Sequence, residues 1–404
     1  MQEDKFSGFI AAAKRFRQIA SKIKVIEIAQ GVAGPHSGRM MGALGAEVIK
    51  VELPDLGDWT RSVGPFLNEE NKLESSALFL YNNTNKKSVT LDWRTQKGKK
   101  RLDGLVEQAD IVIMDWDLNT RETYCLSDNT FNNVNHSAIQ LSITPFGLNG
   151  PYAKYKSAPL IQLALGGYLY LTGLPNREPL MLPGYQPDYL AALNGHNAVQ
   201  IALWDREKTG NGSFLDMSII ETLITLHQFT FEMYTYEGHI RQRNGNLWQK
   251  EGSFANYGIT TIPCSDGHIC FGVATEDQWE RLCLMLGRED LLSDPDFETR
   301  GKRRNKAEYL DAAITEWVGT KTRHQVLLET SDIWGLPTSP VLSLEEIMND
   351  PQFETRNLFR DVEHSVAGIA TYPTFSFLTD YMNTNLVPAP TLGQHNQEYE
   401  NVGS

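Results

Sequence analysis

The stretch KVIEIAQGVAGPHSGRMMGALGAEVIKVE, Lys24 to Glu52, reads as a strand, a glycine-bearing turn, a helix and a second strand. KVIEIA (Lys24 to Ala29) is rich in β-branched residues, and GVAGP turns the chain into a helix over roughly His36 to Leu44. Pro35 suits a first helical turn, and Gly34 permits close backbone approach. EVIKVE (Glu47 to Glu52) is the next strand. The alternation continues through SVTLDW (Ser88 to Trp93), a helix from Thr95 to Gln108 with Leu102, Leu105 and Val106 inward, IVIMDW (Ile111 to Trp116) and AIQLSI (Ala138 to Ile143). Apolar strands alternating with helices predict an α/β fold of βαβ units around a mainly parallel sheet. In such sheets ligands bind beyond the carboxyl ends of the strands, so chemistry is expected in the loops that follow them.

Further along, helical patterns cover Leu160 to Leu171 and Tyr189 to Glu207, and KTGNG leads into a strand, SFLDMSI. After Glu221 aromatic residues thicken. Thr260 to Val273 reads as a hairpin around Ser265-Asp266-Gly267, and charged helical patterns run from Glu276 to Glu329. The tail from Gly335 is irregular and Pro-rich, the character of a segment that wraps back over an earlier domain. The expected organisation is a large domain over 21–220, a smaller α+β domain over 221–334, and a return to the large domain over 335–404. Within the first twenty residues, Phe6, Phe9, Ile10, Ala13, Phe16 and Ile19 fall at helical spacing.

The 404 residues carry 37 Lys+Arg against 50 Asp+Glu, a net charge of −13. That balance argues against nucleic acid and anionic membranes as partners. A phosphate-bearing ligand would need a local positive site. No apolar run of about 18 residues spans a membrane, and the acidic opening MQEDKFSGFIAAAKRFRQIA does not read as a signal peptide. Four cysteines lack CxxC spacing, as reduced thiols do, and nine histidines show no metal-ligand pairing. The expectation is a cytoplasmic, metal-free protein.

P-loop, hydrolase-elbow, zincin and dinucleotide motifs are missing. Three contexts remain. Ala33-Gly34-Pro35 opens a helix whose N-terminus can receive a phosphate or carboxyl group, and it equally fits a plain tight turn. Asn85-Lys86-Lys87-Ser88 is a local positive site at a strand edge, where lysines also serve as edge protection. Asp188, in Gln186-Pro187-Asp188-Tyr189-Leu190, is a good N-cap candidate. A carboxylate kept ionised at a helix N-terminus is also a competent nucleophile toward an activated acyl group.

Together these segments resemble the class III coenzyme A transferases, the group containing formyl-CoA and carnitine CoA-transferases. The resemblance runs from about Lys24 to Glu398. It is carried by Lys24–Arg61, NKKSVTLDW (Asn85–Trp93), SITPFGLNGPY (Ser142–Tyr152), GYLYLTG (Gly167–Gly173), PDYLAALNG (Pro187–Gly195), KTGNGSFLDMSIIE (Lys208–Glu221), GLPTSPV (Gly335–Val341) and APTLGQHNQE (Ala389–Glu398).

The resemblance implies a Rossmann-like large domain built from both ends of the chain, with the smaller domain inserted and two chains interlocked as a homodimer. It implies transfer of coenzyme A from an acyl-CoA to a small carboxylic acid through an aspartyl anhydride and an aspartyl-CoA thioester, with Asp188 at the matching position. Val32, Ala33 and Gly34 match the backbone lining the CoA pocket, and backbone N–H groups near Gly34 and around Asp188 are candidate stabilisers of the tetrahedral oxyanions. Lys86 matches a basic residue near the CoA phosphates. Asp115-Trp116 replaces the usual Asn-Phe, Arg121 is the nearest basic residue after it, and Leu53-Pro54 stands where some members carry an arginine. The alternative in the same superfamily is an α-methylacyl-CoA racemase, whose base would fall near Ala158, where no histidine exists. Tyr185, Tyr189, Trp248 and Tyr257 are candidates for an acyl pocket, although aromatics in such numbers are more often core or interface.

Overall fold

The computed structural model describes residues 21–126, 131–245, 257–377 and 386–403. The helical pattern over the first twenty residues, and Trp248, lie outside them. Six strands form one sheet: β1 (Lys24–Glu27), β2 (Glu47–Glu52), β3 (Lys86–Thr90), β4 (Ile111–Met114), β5 (Ile139–Thr144) and β6 (Phe214–Ser218). Neighbours run parallel in the order β3-β2-β1-β4-β5-β6. This is the doubly wound order, which reverses between β1 and β4. The third strand starts at Lys86, not Ser88, because Lys86 and Lys87 pair in register with Val48 and Ile49.

The helices that pack around this sheet include α1 (Ala33–Ala43), α2 (Ala77–Asn82), α3 (Gln96–Glu107), α4 (Leu118–Thr123), α5 (Pro159–Leu165), α6 (Gln186–Thr209) and α7 (Ile219–Thr225). Strand side chains alternate between faces. Val25, Val48, Ile111 and Ile113 pack with Met41 of α1 and Ala191 and Val199 of α6. Ile26, Ile49, Val51 and Val112 pack on the other face with Leu102, Leu105 and Val106 of α3. Burial on both faces explains why these strands read as apolar runs without a polar side.

By their contacts the described residues fall into two compact units, those within Met1–Gly166, Leu182–Leu226 and Pro351–Ser404, and those within Gly167–Met181 and His227–Asp350. These limits differ from the sequence reading. The pattern over Leu160–Leu171 breaks after α5 because Gly166-Gly167 follows and Gly167 adopts φ +85°, a conformation open mainly to glycine. The second unit contains β7 (Ile259–Cys264), β8 (Gly267–Gly272) and β9 (Thr338–Pro340), all antiparallel. Pairing of β9 with β8 keeps the chain in that unit past Gly335. Its core includes Ile262, Ile269, Phe271, Trp279, Leu310 and Tyr257.

The last segment is more ordered than its composition suggests, with an antiparallel pair at Phe359–His364 and Gly368–Pro373. It also caps the open edge of the first unit's sheet. Ser88 N–H donates to His395 Nδ1 at 3.1 Å, and Thr90 N–H donates to Asn396 Oδ1 at 2.8 Å. Unpaired strand amides are thereby satisfied.

Candidate active site

A cavity of about 550 Å³ lies within the first unit. Its wall includes Gln30, Gly31, Val32 and Ala33 after β1, Asp115 and Asp117 after β4, Pro145 after β5, and Tyr185 and Asp188 at the start of α6. It thus sits where the strand order reverses, the position expected for a ligand in a doubly wound sheet.

The loop after β1 is held from below by charged side chains. Ala29 carbonyl accepts from Lys50 Nζ (2.9 Å), and Gly31 N–H donates to Asp58 Oδ1 (3.0 Å). Pro35 carbonyl accepts from Lys86 Nζ (2.8 Å). Asp115 takes Gln30 N–H on Oδ1 (2.8 Å) and Gly34 N–H on Oδ2 (3.0 Å). Three of these groups are joined through Glu27: Lys50 contacts Glu27 at 3.0 Å and Asp58 at 2.8 Å, and Lys86 contacts Glu27 at 2.8 Å. Glu52 extends the set by binding Arg61 Nε at 2.8 Å and accepting Asp58 N–H at 2.9 Å.

Several expected roles change here. Lys86 is buried, and its ammonium group is taken by Glu27, Asn83 Oδ1 and Pro35 carbonyl, so it is not a surface site for phosphate. Lys87 is engaged by Glu47 (3.0 Å) and Glu398 (2.8 Å). The N–H of Gly34 is spent on Asp115 and cannot face an oxyanion. Val32 and Ala33 do line the cavity, and their N–H groups have no partner among the described residues. Trp116 is buried between Trp93 and Tyr124, at ring separations of 5.6 and 4.8 Å, away from the cavity wall. Arg121 is also buried, donating from Nε to Trp116 carbonyl (2.7 Å) and from a terminal nitrogen to Ser142 Oγ (2.6 Å). It braces the end of β4 and does not reach for phosphate.

Asp188 is not the N-cap. Tyr185 holds that position, and Asp188 is the third residue of α6, in the first turn. The residue is half-buried, but its Oδ2 is sealed from solvent and has no hydrogen-bond partner among the described residues. Burial pushes its carboxyl up to about 7, only partly offset by its own backbone N–H. Asp115 is also pushed to about 7, by burial first and then by the charge of Asp58, against the lowering effect of its two N–H bonds. Asp58 goes the other way. Burial raises it, but Lys50 together with the N–H groups of Thr60 and Gly31 outweighs burial and holds it below the usual range.

The profile of CoA-transferase family III matches residues 21–396. The chain belongs to that family. It is 30% identical over 382 residues to a succinate–glutarate CoA-transferase of Agrobacterium fabrum, covering 93% of each chain. It is 30% identical over 389 residues to a succinyl-CoA–D-citramalate CoA-transferase of Chloroflexus aurantiacus, covering 93% of this chain and 92% of the other. A CAIB/BAIF family protein from Brucella suis has a similar structure, with a TM-score of 0.81 at 30% identity over 95% of this chain and 98% of that one.

The cavity of this CoA-transferase is also lined by residues the sequence did not single out. Trp59 lies over Gly31, where an added Cβ would fall 2.8 Å from the indole, and its ring is 6.3 Å from that of Tyr185. Buried Gln162 has an unpartnered Oε1, and Ser157 an unpartnered Oγ, both on the wall. Lys156 is the cationic side chain lining the cavity among the described residues. Only GDWTR gave any signal, as part of a longer matching fragment. Of the aromatic candidates, Tyr185 lines the cavity. Tyr189 packs edge-on to His36 at 4.8 Å, and Tyr257 donates to Asp311 in the second unit's core. No helix among the described residues is long and apolar enough to cross a membrane.

Proposed function

We propose that this CoA-transferase moves coenzyme A from an acyl-CoA to a free carboxylate through covalent intermediates on Asp188. The observation that carries this reading is a half-buried carboxyl side chain on the wall of the cavity, in the first turn of a helix, with one oxygen closed to solvent and without a hydrogen-bond partner among the described residues. Burial deprives that oxygen of water, which weakens its solvation and keeps it reactive. Its Oδ attacks the thioester carbonyl, the C–S bond breaks, and CoA leaves as thiolate with an aspartyl–acyl anhydride behind it. The thiolate then attacks the aspartyl carbonyl, releasing the donor's carboxylate and leaving an aspartyl-CoA thioester. An acceptor carboxylate attacks that thioester and expels the thiolate, which finally takes the new acyl group and returns Asp188 to its starting form. No net proton is consumed.

An anhydride hydrolyses readily, so water must be kept out. Trp59, Tyr185, Ile143 and Ile219 supply apolar wall for that purpose. The N–H groups of Val32 and Ala33 are the amides best placed to stabilise the tetrahedral oxyanions. The relatives' names point to short dicarboxylic acids as donor and acceptor, and Lys156 suits the second carboxylate of such an acyl group. A homodimer accords with the exposed Ile201 (72%) and Trp204 (66%) on α6, which a partner chain would cover. Against the racemase alternative, Ala158 lines the wall where the base would stand, and among the described residues no histidine lines it.

The test is incubation with succinyl-CoA and a panel of carboxylates in D₂O, followed by mass spectrometry of products and protein. CoA exchange between acids and an adduct on the peptide containing Asp188 are expected. Deuterium at Cα without exchange would sink the reading. Light scattering should give twice the 45.5 kDa chain mass.

A further inference from the structure

Asp115 lines the cavity, and its geometry uses both carboxylate oxygens. Oδ1 accepts Gln30 N–H at 2.8 Å and Oδ2 accepts Gly34 N–H at 3.0 Å, so one side chain grips both ends of the turn after β1. An asparagine offers one acceptor and would set its NH₂ against the other N–H, a donor facing a donor. Close approach is built in. A Cβ on Gly34 would fall 2.8 Å from Asp115 Oδ2 and 2.3 Å from Ala29 Cβ, so only glycine fits. Between the two gripped amides, Gly31 N–H is held by Asp58. That leaves Val32 and Ala33 as the amides of the turn that have no partner among the described residues, and both line the cavity with Asp188.

We propose that Asp115 is a positioning residue for transfer, setting the Val32 and Ala33 amides at the oxygen of the acyl group undergoing reaction. It does this by clamping Gln30 and Gly34 at once. The proposal replaces the role of direct CoA contact expected for Asp115. It rests on the Asp188 reading only for the identity of the reacting oxygen. A donor set that is rigid before reaction stabilises charge that develops in the transition state and adds little to ground-state binding. Loss of the clamp should therefore appear in kcat.

The experiment is Asp115→Asn, with kcat and the KM for succinyl-CoA measured alongside Tm. The expected result is a fall in kcat of about tenfold to a hundredfold, as for loss of an oxyanion donor, with KM changed by no more than about twofold. A rise in KM at unchanged kcat would mean that Asp115 touches CoA directly and would overturn the proposal. A drop in Tm with both constants unchanged would reduce it to a structural residue, and would also overturn it. Should Asp115→Asn not fold, Asp115→Glu keeps two acceptors on a longer stem and carries the same kcat-against-KM comparison. Failure of the Asp188 reading would be seen separately, as absence of the covalent adduct in the wild-type protein.

Discussion

Two pairs of acids near the turn after β1, Asp58 with Glu52 and Asp115 with Asp188, behave in opposite ways. Asp58 and Glu52 are sealed beneath the turn after β1, yet Lys50 and Arg61 overcome the penalty of burial and hold both below the ordinary carboxylate range. Asp115 and Asp188 border the cavity, have no cation in contact, and are pushed to about 7 by burial. Burial alone therefore does not set the chemistry of an acid. The presence or withholding of a cation does, and withholding it leaves the group poised near neutrality. Asp58 and Asp115 both hold the turn in place, and under the proposed function Asp188 is the acid that meets the acyl group.

The comparison breaks most completely at Asp188. Asp188→Asn keeps shape and removes the nucleophile, so transfer should fall on the order of 10³-fold or more, with the fold intact by circular dichroism. The same variant should be more stable than wild type, and more so at pH 8 than at pH 5. The sign follows from linkage. A carboxyl whose folded value is raised binds its proton more tightly when folded, so the wild type loses stability as pH climbs from about 4 to about 7, and an amide has no such loss. If Tm of the variant is lower at pH 8, Asp188 is a structural acid after all. On the other side of the comparison, Lys50→Ala leaves Glu27 and Asp58 buried without their shared cation. A loss of about 3–5 kcal/mol in urea unfolding is expected, as for other broken buried pairs. A loss under about 1 kcal/mol would mean that water enters and the set is not sealed.

How much of this was legible beforehand divides along the same line. Strand and helix periods gave the sheet, because Val25 and Ile26 each face a buried layer and so declare the strand without ambiguity. Asp188 was readable from Pro187 and the helical pattern after it, although its exact turn position was not. Lys86 was misread as a phosphate site. A lysine pair at a strand edge looks solvent-bound in one dimension, and only the register with β2 shows Lys86 brought under α1 to Glu27. The role of Gly34 was half legible. Its small size signalled close approach, but the partner, Asp115, lies 81 positions away in the chain. Contacts of that range leave no local pattern to read.

A milder probe is pH. Because Asp188 must be ionised to attack, kcat/KM for succinyl-CoA should fall as pH drops below about 7 and level off above it. Asp115 titrates in the same range and works in the same direction, since protonation costs it one accepted N–H. A midpoint near 4, the ordinary carboxylate value, would show that the cavity admits enough water to relax both acids.

The smallest effect is expected at Lys87, which sharpens the contrast by sitting outside both sets. It is half-buried and shared between Glu47 and Glu398, a surface network of the kind worth about 0–1 kcal/mol. Lys87→Ala should move urea stability by no more than about 1 kcal/mol, less still in high salt. Its KM for succinyl-CoA should stay within about twofold of wild type, because the carboxylates of Glu47 and Glu398 already occupy the ammonium and would repel a phosphate. A salt-sensitive rise in KM of about tenfold would instead mean that those two acids give way to CoA. The positive site that the charge of −13 demanded would then lie at this edge of the sheet, with the pairs seen here serving as its placeholder.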